Sequence, residues 1–224
     1  MEVANRTDIY REIIETGKRL FRDGFIVASE GNISVRLNPN EIITTPRGMS
    51  KGELREKDLV HTDITGTILN QGPAPSTELK LHLKIYRDRP EINCVIHAHP
   101  PYTISMTLTE NFLSKPYLPE SVLMLGAVPI VPYARPSTEE VPNRISKFVK
   151  KTDIMILERH GTVTVGKTLK EAYQKLEILE RTVKILSLAR QMGELREMPR
   201  EEIQNLMKLR HEVYGLDYPI LPFE

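Results

Sequence analysis

The spacing of apolar positions predicts helices in several parts of the chain. Ile9, Ile13 and Leu20 recur at helical intervals, which predicts a first amphipathic helix. A second helix is expected to end before Pro90, because the residue that precedes a proline is disfavoured in the helical conformation. The expected helices cover residues 8–22, 76–89, 137–150, 168–192 and 200–213.

Short apolar runs between these helices predict strands. Residues 32–37 and 41–45 flank an Asn-Pro-Asn turn, which is typical of a hairpin. Because hairpins and short crossovers occur together, we expect a single α/β domain over residues 1–224, with a mixed, largely antiparallel sheet and helices on both faces. The other expected strands cover residues 58–63, 67–69, 92–97, 153–157 and 162–165, and one lies within residues 121–131.

Composition excludes several classes of function. The 31 Lys and Arg against 30 Asp and Glu leave a formal net charge of +1, whereas nucleic-acid binders usually carry a basic excess. The single cysteine, Cys94, provides neither an intrachain disulfide nor a cysteine-rich zinc site. Neither a long apolar segment nor a signal-peptide pattern is found. We therefore expect a cytoplasmic protein without nucleic-acid or membrane partners.

Three histidines are candidates for a metal site. His97 and His99 end an apolar run and are two residues apart, so an extended backbone places both imidazoles on one face. His160 ends a second apolar run. Three imidazoles suit zinc and leave a coordination position open for a reactant. The alternative is that the histidines only terminate strands, because spacing alone does not show that they converge.

Glu78 lies at the start of the second expected helix, which Ser76 or Thr77 would cap. On this pattern alone, a purely structural role in the first helical turn is favoured. In the functional interpretation, the free amides and hydroxyls of this turn bind phosphate, and Glu78 beside them acts as a general acid or base. Two loops with small residues are expected to share that phosphate site, and their candidates are Ser29, Gly31, Asn32, Arg47 and Gly48.

Six motifs in this order resemble the class II (zinc-dependent) aldolase/adducin-head family, in particular members of the L-fuculose-1-phosphate aldolase type. The resemblance extends from about residue 8 to 215, and residues 214–224 are expected to form a C-terminal tail. The ordered set is specific for the family and much less so for a substrate. The motifs are SEGNIS, TPRGMSKG, PSTELKLHLKIY, VIHAHP, VPYARPSTEE and LERHGTVTVG.

The resemblance implies a cyclic homotetramer with one zinc per subunit at the subunit interfaces. It also implies reversible retro-aldol cleavage of a ketose 1-phosphate to dihydroxyacetone phosphate and an aldehyde such as lactaldehyde, through a zinc-stabilised enediolate. The implied catalytic residues are Glu78 and Tyr214, the latter reaching a neighbouring active site. The implied zinc ligands are His97, His99, His160 and Glu78, and the implied phosphate-binding positions are Gly31, Asn32, Gly48, Ser76 and Thr77, with Ser29 nearby.

Two departures from the family pattern affect the expected substrate. Arg47 stands where many members have Thr or Ser, and Glu120 or Ser121 stands near the position of a tyrosine in fuculose aldolases, with which Tyr117 does not align. A methylthioribulose-1-phosphate dehydratase and a 5-deoxypentulose-phosphate aldolase therefore remain alternatives. A pentulose-phosphate 4-epimerase is disfavoured because it usually has Asp at position 78. A catalytically inactive adducin-like binding module is disfavoured because all three histidines and the carboxylate are present.

Overall fold

The computed structural model describes residues 5–109 and 112–223, and seven strands in these residues form one sheet. The strand order is β3-β2-β1-β4-β7-β6-β5, and all neighbouring pairs are antiparallel except β5 and β6. The expected mixed, largely antiparallel sheet is therefore confirmed. The strands are β1 (Asn32–Asn38), β2 (Glu41–Thr44), β3 (Val60–Asp63), β4 (Cys94–Ala98), β5 (Ile130–Val131), β6 (Ile154–Leu157) and β7 (Gly161–Gly166).

Helices cover both faces of the sheet. Alternate residues of β4 enter different cores: Ile96 packs with α1 and α6, and Val95 packs with α2 and α5. In the described part of the chain, no helix combines the length and the apolar composition that a membrane span requires. The helices are α1 (Arg6–Arg22), α2 (Leu79–Asp88), α3 (Pro101–Met106), α4 (Pro119–Met124), α5 (Glu140–Ile145), α6 (Leu169–Met192) and α7 (Arg200–Glu212).

Several predicted boundaries are wrong, for local reasons. Residues 67–69 form no strand and contribute a single bridge between Ile68 and Thr62. The helix expected from Ser137 begins only at Glu140, because Ser137 has a φ of +64°, outside the extended conformation of an N-cap residue. The short helices α3 and α4 were not predicted, although each has a proline in its first turn, where that residue is favoured.

The C-terminal segment packs back onto the domain through a buried arginine. Arg210 is 1% exposed, and its guanidinium donates hydrogen bonds to the carbonyls of Leu123 and Tyr218. The Tyr218 hydroxyl donates to the carbonyl of Met124 at 2.9 Å. These contacts attach the segment after α7 to α4.

Candidate metal centre and phosphate-binding loops

The carboxyl end of β4 places two histidines at the centre of the sheet. His97 lies opposite Asn32 of β1 on one side and Val163 of β7 on the other. His160 lies in the turn between β6 and β7, where Arg159 has a φ of +59° and donates its N–H to Thr107 Oγ1 at 2.9 Å. Because β6 and β4 run in the same direction, both chain segments deliver their histidines to the same end of the sheet.

The three imidazoles converge. Their ring centroids are 4.7 to 5.0 Å apart, and His97 Nε2 lies 3.0 Å from His99 Nε2. One nitrogen from each ring lies within 4.8 Å of the others. This close approach requires Gly161, where a Cβ would lie 2.4 Å from the carbonyl oxygen of Ala98. The fold therefore places His160 beside His97 and His99, a convergence that their spacing in the sequence does not show.

Glu78 faces these imidazoles and not its own helix. Its Oε2 lies 3.2 Å from His97 Nε2, and its Oε1 lies 3.4 Å from His160 Nε2. Asn32 Nδ2 donates a hydrogen bond to Oε2 at 3.0 Å. The helix start expected at Ser76 or Thr77 is corrected, because α2 begins at Leu79 with Glu78 as an N-cap that makes no capping hydrogen bond. The carboxylate is thus available to the histidine cluster.

The outer nitrogens of two rings have fixed partners. His97 Nδ1 lies 2.9 Å from the carbonyl oxygen of Thr162 and donates to it, which leaves Nε2 free to bind a metal. His99 Nδ1 lies 3.4 Å from Glu30 Oε2. This geometry orients both Nε2 atoms toward the cluster, as outer carboxylates and carbonyls do at metal sites.

The electrostatics of the cluster favour a cation. Burial opposes the ionisation of Glu78, but the neighbouring His97 and His160 outweigh it and hold the Glu78 pKa well below its usual value. Burial lowers the pKa of His97, whereas Glu78 more than compensates and raises it. Burial and the charge of His97 lower the pKa values of His99 and His160 to about 4, so both rings are neutral near pH 7. Neutral imidazoles are the form that binds metals.

Three buried polar atoms at the cluster have no hydrogen-bond partner among the described residues: Glu78 Oε1, His160 Nδ1 and Asn32 Oδ1. Unpartnered buried groups are costly. A divalent metal held by the three imidazoles would give Glu78 Oε1 the partner that it lacks. The donor set therefore fits a metal such as zinc.

The loops expected to bind phosphate surround this cluster. Gly31 has a φ of +67°, and a Cβ there would lie 2.9 Å from the carbonyl oxygen of His97. The segment containing Arg47 and Gly48 pairs with the segment before α2, through Arg47 N–H to the Ala74 carbonyl at 2.9 Å and Ser76 N–H to the Thr45 carbonyl at 3.4 Å. Two separated sequence motifs thus form one pair of adjacent loops.

The hydroxyls in the α2 turn already have partners. Ser76 Oγ accepts a hydrogen bond from the N–H of Glu78 at 3.3 Å, and Thr77 Oγ1 lies 2.7 Å from Ser137 Oγ. Ser29 is exposed, and its carbonyl accepts a hydrogen bond from Lys51 Nζ at 2.6 Å. Thr77 therefore connects the candidate site with the segment that contains Ser137.

Tyr214 is not joined to the histidine cluster by any contact among the described residues. It follows α7, it is 58% exposed, and its N–H donates to the Leu209 carbonyl. In the segment where fuculose aldolases have a tyrosine, Ser121 Oγ donates to the Leu118 carbonyl and Glu120 is exposed. Among the described residues, neither segment therefore places a tyrosine near the imidazoles.

Two residues of the site carry no signal that sequence reasoning could use. Glu30 is a loop carboxylate within one of the six motifs, and only the fold places it beside His99. Lys51 follows Gly48 by three residues, and only the fold buries it between two loops. His82 is not part of the cluster: it is 1% exposed, and its Nδ1 lies 2.6 Å from Ser34 Oγ.

The chain is similar to known proteins over most of its length. The model of the class II aldolase and adducin N-terminal domain family matches residues 11–187. An L-fuculose phosphate aldolase from Methanococcus vannielii is 35% identical over 175 residues, which cover 78% of this chain and 93% of that protein. A 3-oxo-tetronate 4-phosphate decarboxylase from Pectobacterium atrosepticum is 32% identical over 179 residues, which cover 78% of this chain and 82% of that protein.

The fold is also that of a solved relative. The structure of an L-fuculose 1-phosphate aldolase superposes with a TM-score of 0.79 and 26% sequence identity, covering 93% of this chain and 98% of that one. Both the family model and the two sequence relatives cover most of the chain. The chain belongs to the class II aldolase and adducin N-terminal domain family.

Proposed function

We propose that this family member catalyses the zinc-dependent, reversible retro-aldol cleavage of a ketose 1-phosphate such as L-fuculose 1-phosphate. The products would be dihydroxyacetone phosphate and an aldehyde such as lactaldehyde. The observation that carries the proposal is the convergence of three imidazoles and the Glu78 carboxylate at one end of the sheet, beside two loops suited to phosphate. The identity of the sequence relative from Methanococcus vannielii supports the substrate.

His97, His99 and His160 would hold the metal, and Glu78 would complete its coordination before the substrate binds. A divalent metal at this position would polarise the carbonyl group and balance the negative charge that develops during cleavage. The neutral rings of His99 and His160 suit this role. Because imidazole ligands suit several divalent transition metals, zinc is the preferred and not the only candidate.

Glu78 would move the proton at the carbon beside the carbonyl. Its pKa, held well below the usual value, keeps it ionised, and the hydrogen bond from Asn32 keeps the carboxylate aimed at the cluster. In the cleavage direction, the C–C bond breaks as the aldehyde leaves with its carbonyl formed. The hydroxyl proton that the aldehyde carbon loses passes to the ionised Glu78, which delivers it to the carbon that keeps the bonding electrons.

The phosphate would bind at the loops on either side of Glu78. Main-chain N–H groups next to glycines at positive φ can approach an anion closely, which applies to Gly31 and Gly48. Asn32, Ser76 and Thr77 would add side-chain donors, and Ser29 lies at the edge of the same region. Arg47 is exposed beside Gly48 and would add a charge-assisted contact.

Tyr214 would protonate the aldehyde oxygen in the synthetic direction, from a neighbouring subunit of a homotetramer. Its exposure, together with the missing link to the histidines of its own subunit, supports a role across an interface. Tyr214→Phe should lower kcat about 100-fold at unchanged zinc content, as loss of a general acid does. An unchanged kcat would remove Tyr214 from the mechanism.

A second candidate function is the decarboxylation of a 3-oxo-tetronate 4-phosphate. The 32% identity to the relative from Pectobacterium atrosepticum favours it. Loss of carbon dioxide from this 3-oxo acid leaves dihydroxyacetone phosphate, so both reactions end with protonation of the same carbon. The same Glu78 and the same phosphate loops would serve either substrate, which explains how one family includes both activities.

The test is to offer both substrates to the zinc-loaded protein with and without a chelator. Dihydroxyacetone phosphate and an aldehyde released from L-fuculose 1-phosphate, lost with chelator and restored by zinc, would support the aldolase. If only the 3-oxo acid reacts, with release of carbon dioxide, the decarboxylase assignment would replace the aldolase assignment. Glu78→Gln should keep the three imidazoles but slow exchange of the dihydroxyacetone phosphate proton with D2O, and unchanged exchange would remove Glu78 from this role.

A further inference from the structure

Lys51 is a buried lysine that connects the two loops of the candidate phosphate site. It begins a short 3₁₀ turn, Lys51–Glu53, and is 2% exposed. Its Nζ donates hydrogen bonds to the carbonyl oxygen of Ser29 at 2.6 Å and to that of Met49 at 2.9 Å. The first carbonyl belongs to the loop before β1 and the second to the loop after β2. One ammonium group therefore sets the spacing of both loops.

The charge of Lys51 has no counter-ion in the described part of the chain. None of the ion pairs within residues 5–109 and 112–223 includes it. An ammonium has three N–H donors, and the two carbonyls use two of them. A buried charge without a partner is costly unless another group compensates for it. An anionic substrate is such a group.

The electrostatics place Lys51 within range of the active-site carboxylate. Burial lowers the pKa of Lys51 to about 8, and the Glu78 carboxylate acts in the opposite direction. At neutral pH the ammonium is therefore still largely protonated. The two loops that it contacts are those expected to bind the phosphate.

The backbone of Lys51 is held firmly by α1. A Cβ at Gly17 would lie 2.4 Å from the Lys51 carbonyl oxygen, and a Cβ at Gly52 would lie 2.9 Å from the Phe21 ring. Both glycines allow helix and turn to make close contact. The backbone from which the ammonium extends is therefore packed closely against α1.

We propose that Lys51 is a positioning residue for a phosphate-bearing substrate, because its buried ammonium holds the Ser29 and Met49 loops together and contributes an unpaired positive charge to the anion site. This inference rests on the phosphate site of the proposed function and adds the residue that assembles it. Lys51 acts through the two loops, and the groups that contact the phosphate are those named above.

The test compares Lys51→Met and Lys51→Gln with Lys57→Met in the zinc-loaded protein. Met removes the charge and the donors, whereas Gln keeps an NH2 donor group without charge. Lys57 is an exposed lysine in the next 3₁₀ turn, so its loss controls for net charge. Calorimetry measures the Kd of inorganic phosphate, and steady-state kinetics give kcat and KM for L-fuculose 1-phosphate. Zinc content and thermal midpoint are measured on each variant.

The Kd for phosphate and the KM should rise about tenfold in Lys51→Met and less in Lys51→Gln, as expected when hydrogen bonds from a charged group are lost. Zinc content should not change, kcat should change by less than about threefold, and Lys57→Met should behave as the wild type. An unchanged Kd and KM, or a fall in kcat and thermal midpoint alone, would reduce Lys51 to a structural residue. If Lys51→Met does not fold, the Kd for phosphate and the KM of Lys51→Gln decide whether Lys51 is a positioning residue.

The two proposals fail in different ways. If the wild-type chain cleaves no phosphorylated ketose but loses phosphate affinity in Lys51→Met, the proposed function is wrong and the role of Lys51 is supported. If the wild-type chain cleaves L-fuculose 1-phosphate with a KM that Lys51→Met leaves unchanged, the reaction is supported and the role of Lys51 is wrong. If the wild-type chain binds no phosphate and cleaves no substrate, both are wrong.

Discussion

Two clusters of buried ionisable side chains lie at opposite ends of the sheet and differ in how well their groups are paired. At the start of β6, Asp153 accepts hydrogen bonds from Arg89 and from Lys175 Nζ, the latter at 2.6 Å. Lys175 Nζ also donates to the Val165 carbonyl at 3.0 Å, and Arg89 donates to main-chain carbonyls. Both oxygens of the central carboxylate are used, and both cations are paired.

The histidine cluster at the other end is incompletely paired. Glu78 Oε1 and His160 Nδ1 have no hydrogen-bond partner within the described residues, and His97 and His99 approach each other through their nitrogens. The histidine cluster is also slightly more exposed, with the Glu78 and His160 side chains each 12% exposed against 2% for Asp153 and Lys175. The difference shows that unsatisfied groups of complementary chemistry, and not buried charge as such, indicate a ligand site.

The largest expected effect is the loss of activity when one imidazole of the histidine cluster is removed. His160→Ala should lower kcat/KM at least about 1,000-fold, because the metal loses one of three imidazoles. The thermal midpoint of the metal-free protein should change little, since His160 Nδ1 has no partner to lose. Metal analysis, kinetics and calorimetry check this, with the exposed His211→Ala as the control. Retained metal and activity would show that the cluster is structural.

The next effect concerns stability at the opposite end. Asp153→Ala should lower the free energy of unfolding by about 3–5 kcal/mol, because it leaves Arg89 and Lys175 buried without their carboxylate. Denaturant unfolding measures the loss, and the folded fraction should keep its metal. Asp88→Ala removes the partly exposed pair with Lys84 and should cost only about 0.3–0.5 kcal/mol. Equal losses in the two variants would contradict the comparison.

Metal affinity should fall as the pH falls. Because the pKa of His97 is raised, the metal-free cluster holds a proton there below that pKa, and a metal must displace it. Affinity should drop about tenfold per pH unit for each displaced proton. His99 and His160, with pKa values near 4, add to the slope only at more acidic pH. Calorimetry in buffers of different ionisation enthalpy measures the protons released, and a flat pH profile would contradict the assignment.

The smallest effect tests the outer contact of one imidazole. Glu30→Gln should weaken metal binding by about tenfold, the lower end for outer carboxylates, because Glu30 is partly exposed and lies 3.4 Å from His99 Nδ1. Competition with a chromophoric chelator measures the affinity. Glu12→Gln, on the exposed side of α1, should leave it unchanged. An affinity equal to that of the wild type would show that Glu30 does not orient His99.

Local sequence patterns predicted the fold well in long helices and in strands joined by a recognisable turn. Helical spacing predicted α1 and α6 to within two residues of their observed ends, and the hairpin of β1 and β2 followed from its turn. The two six-residue helices α3 and α4 were missed because one and a half turns give too few positions for a period to be recognised. Residues 67–69 have the composition of a short strand but form only one bridge, between Ile68 and Thr62.

By itself, the sequence determined that His97 and His99 share a face, because an extended backbone repeats every two residues, and that a carboxylate begins α2. It also carried the ordered motifs that identify the family. Only the tertiary structure decided that His160 and Glu78 reach the same point, since strand order joins segments far apart in the chain. The same is true of Glu30 beside His99 and of Lys51 between its two loops. Their roles depend on distance and burial, which no local pattern of residues encodes.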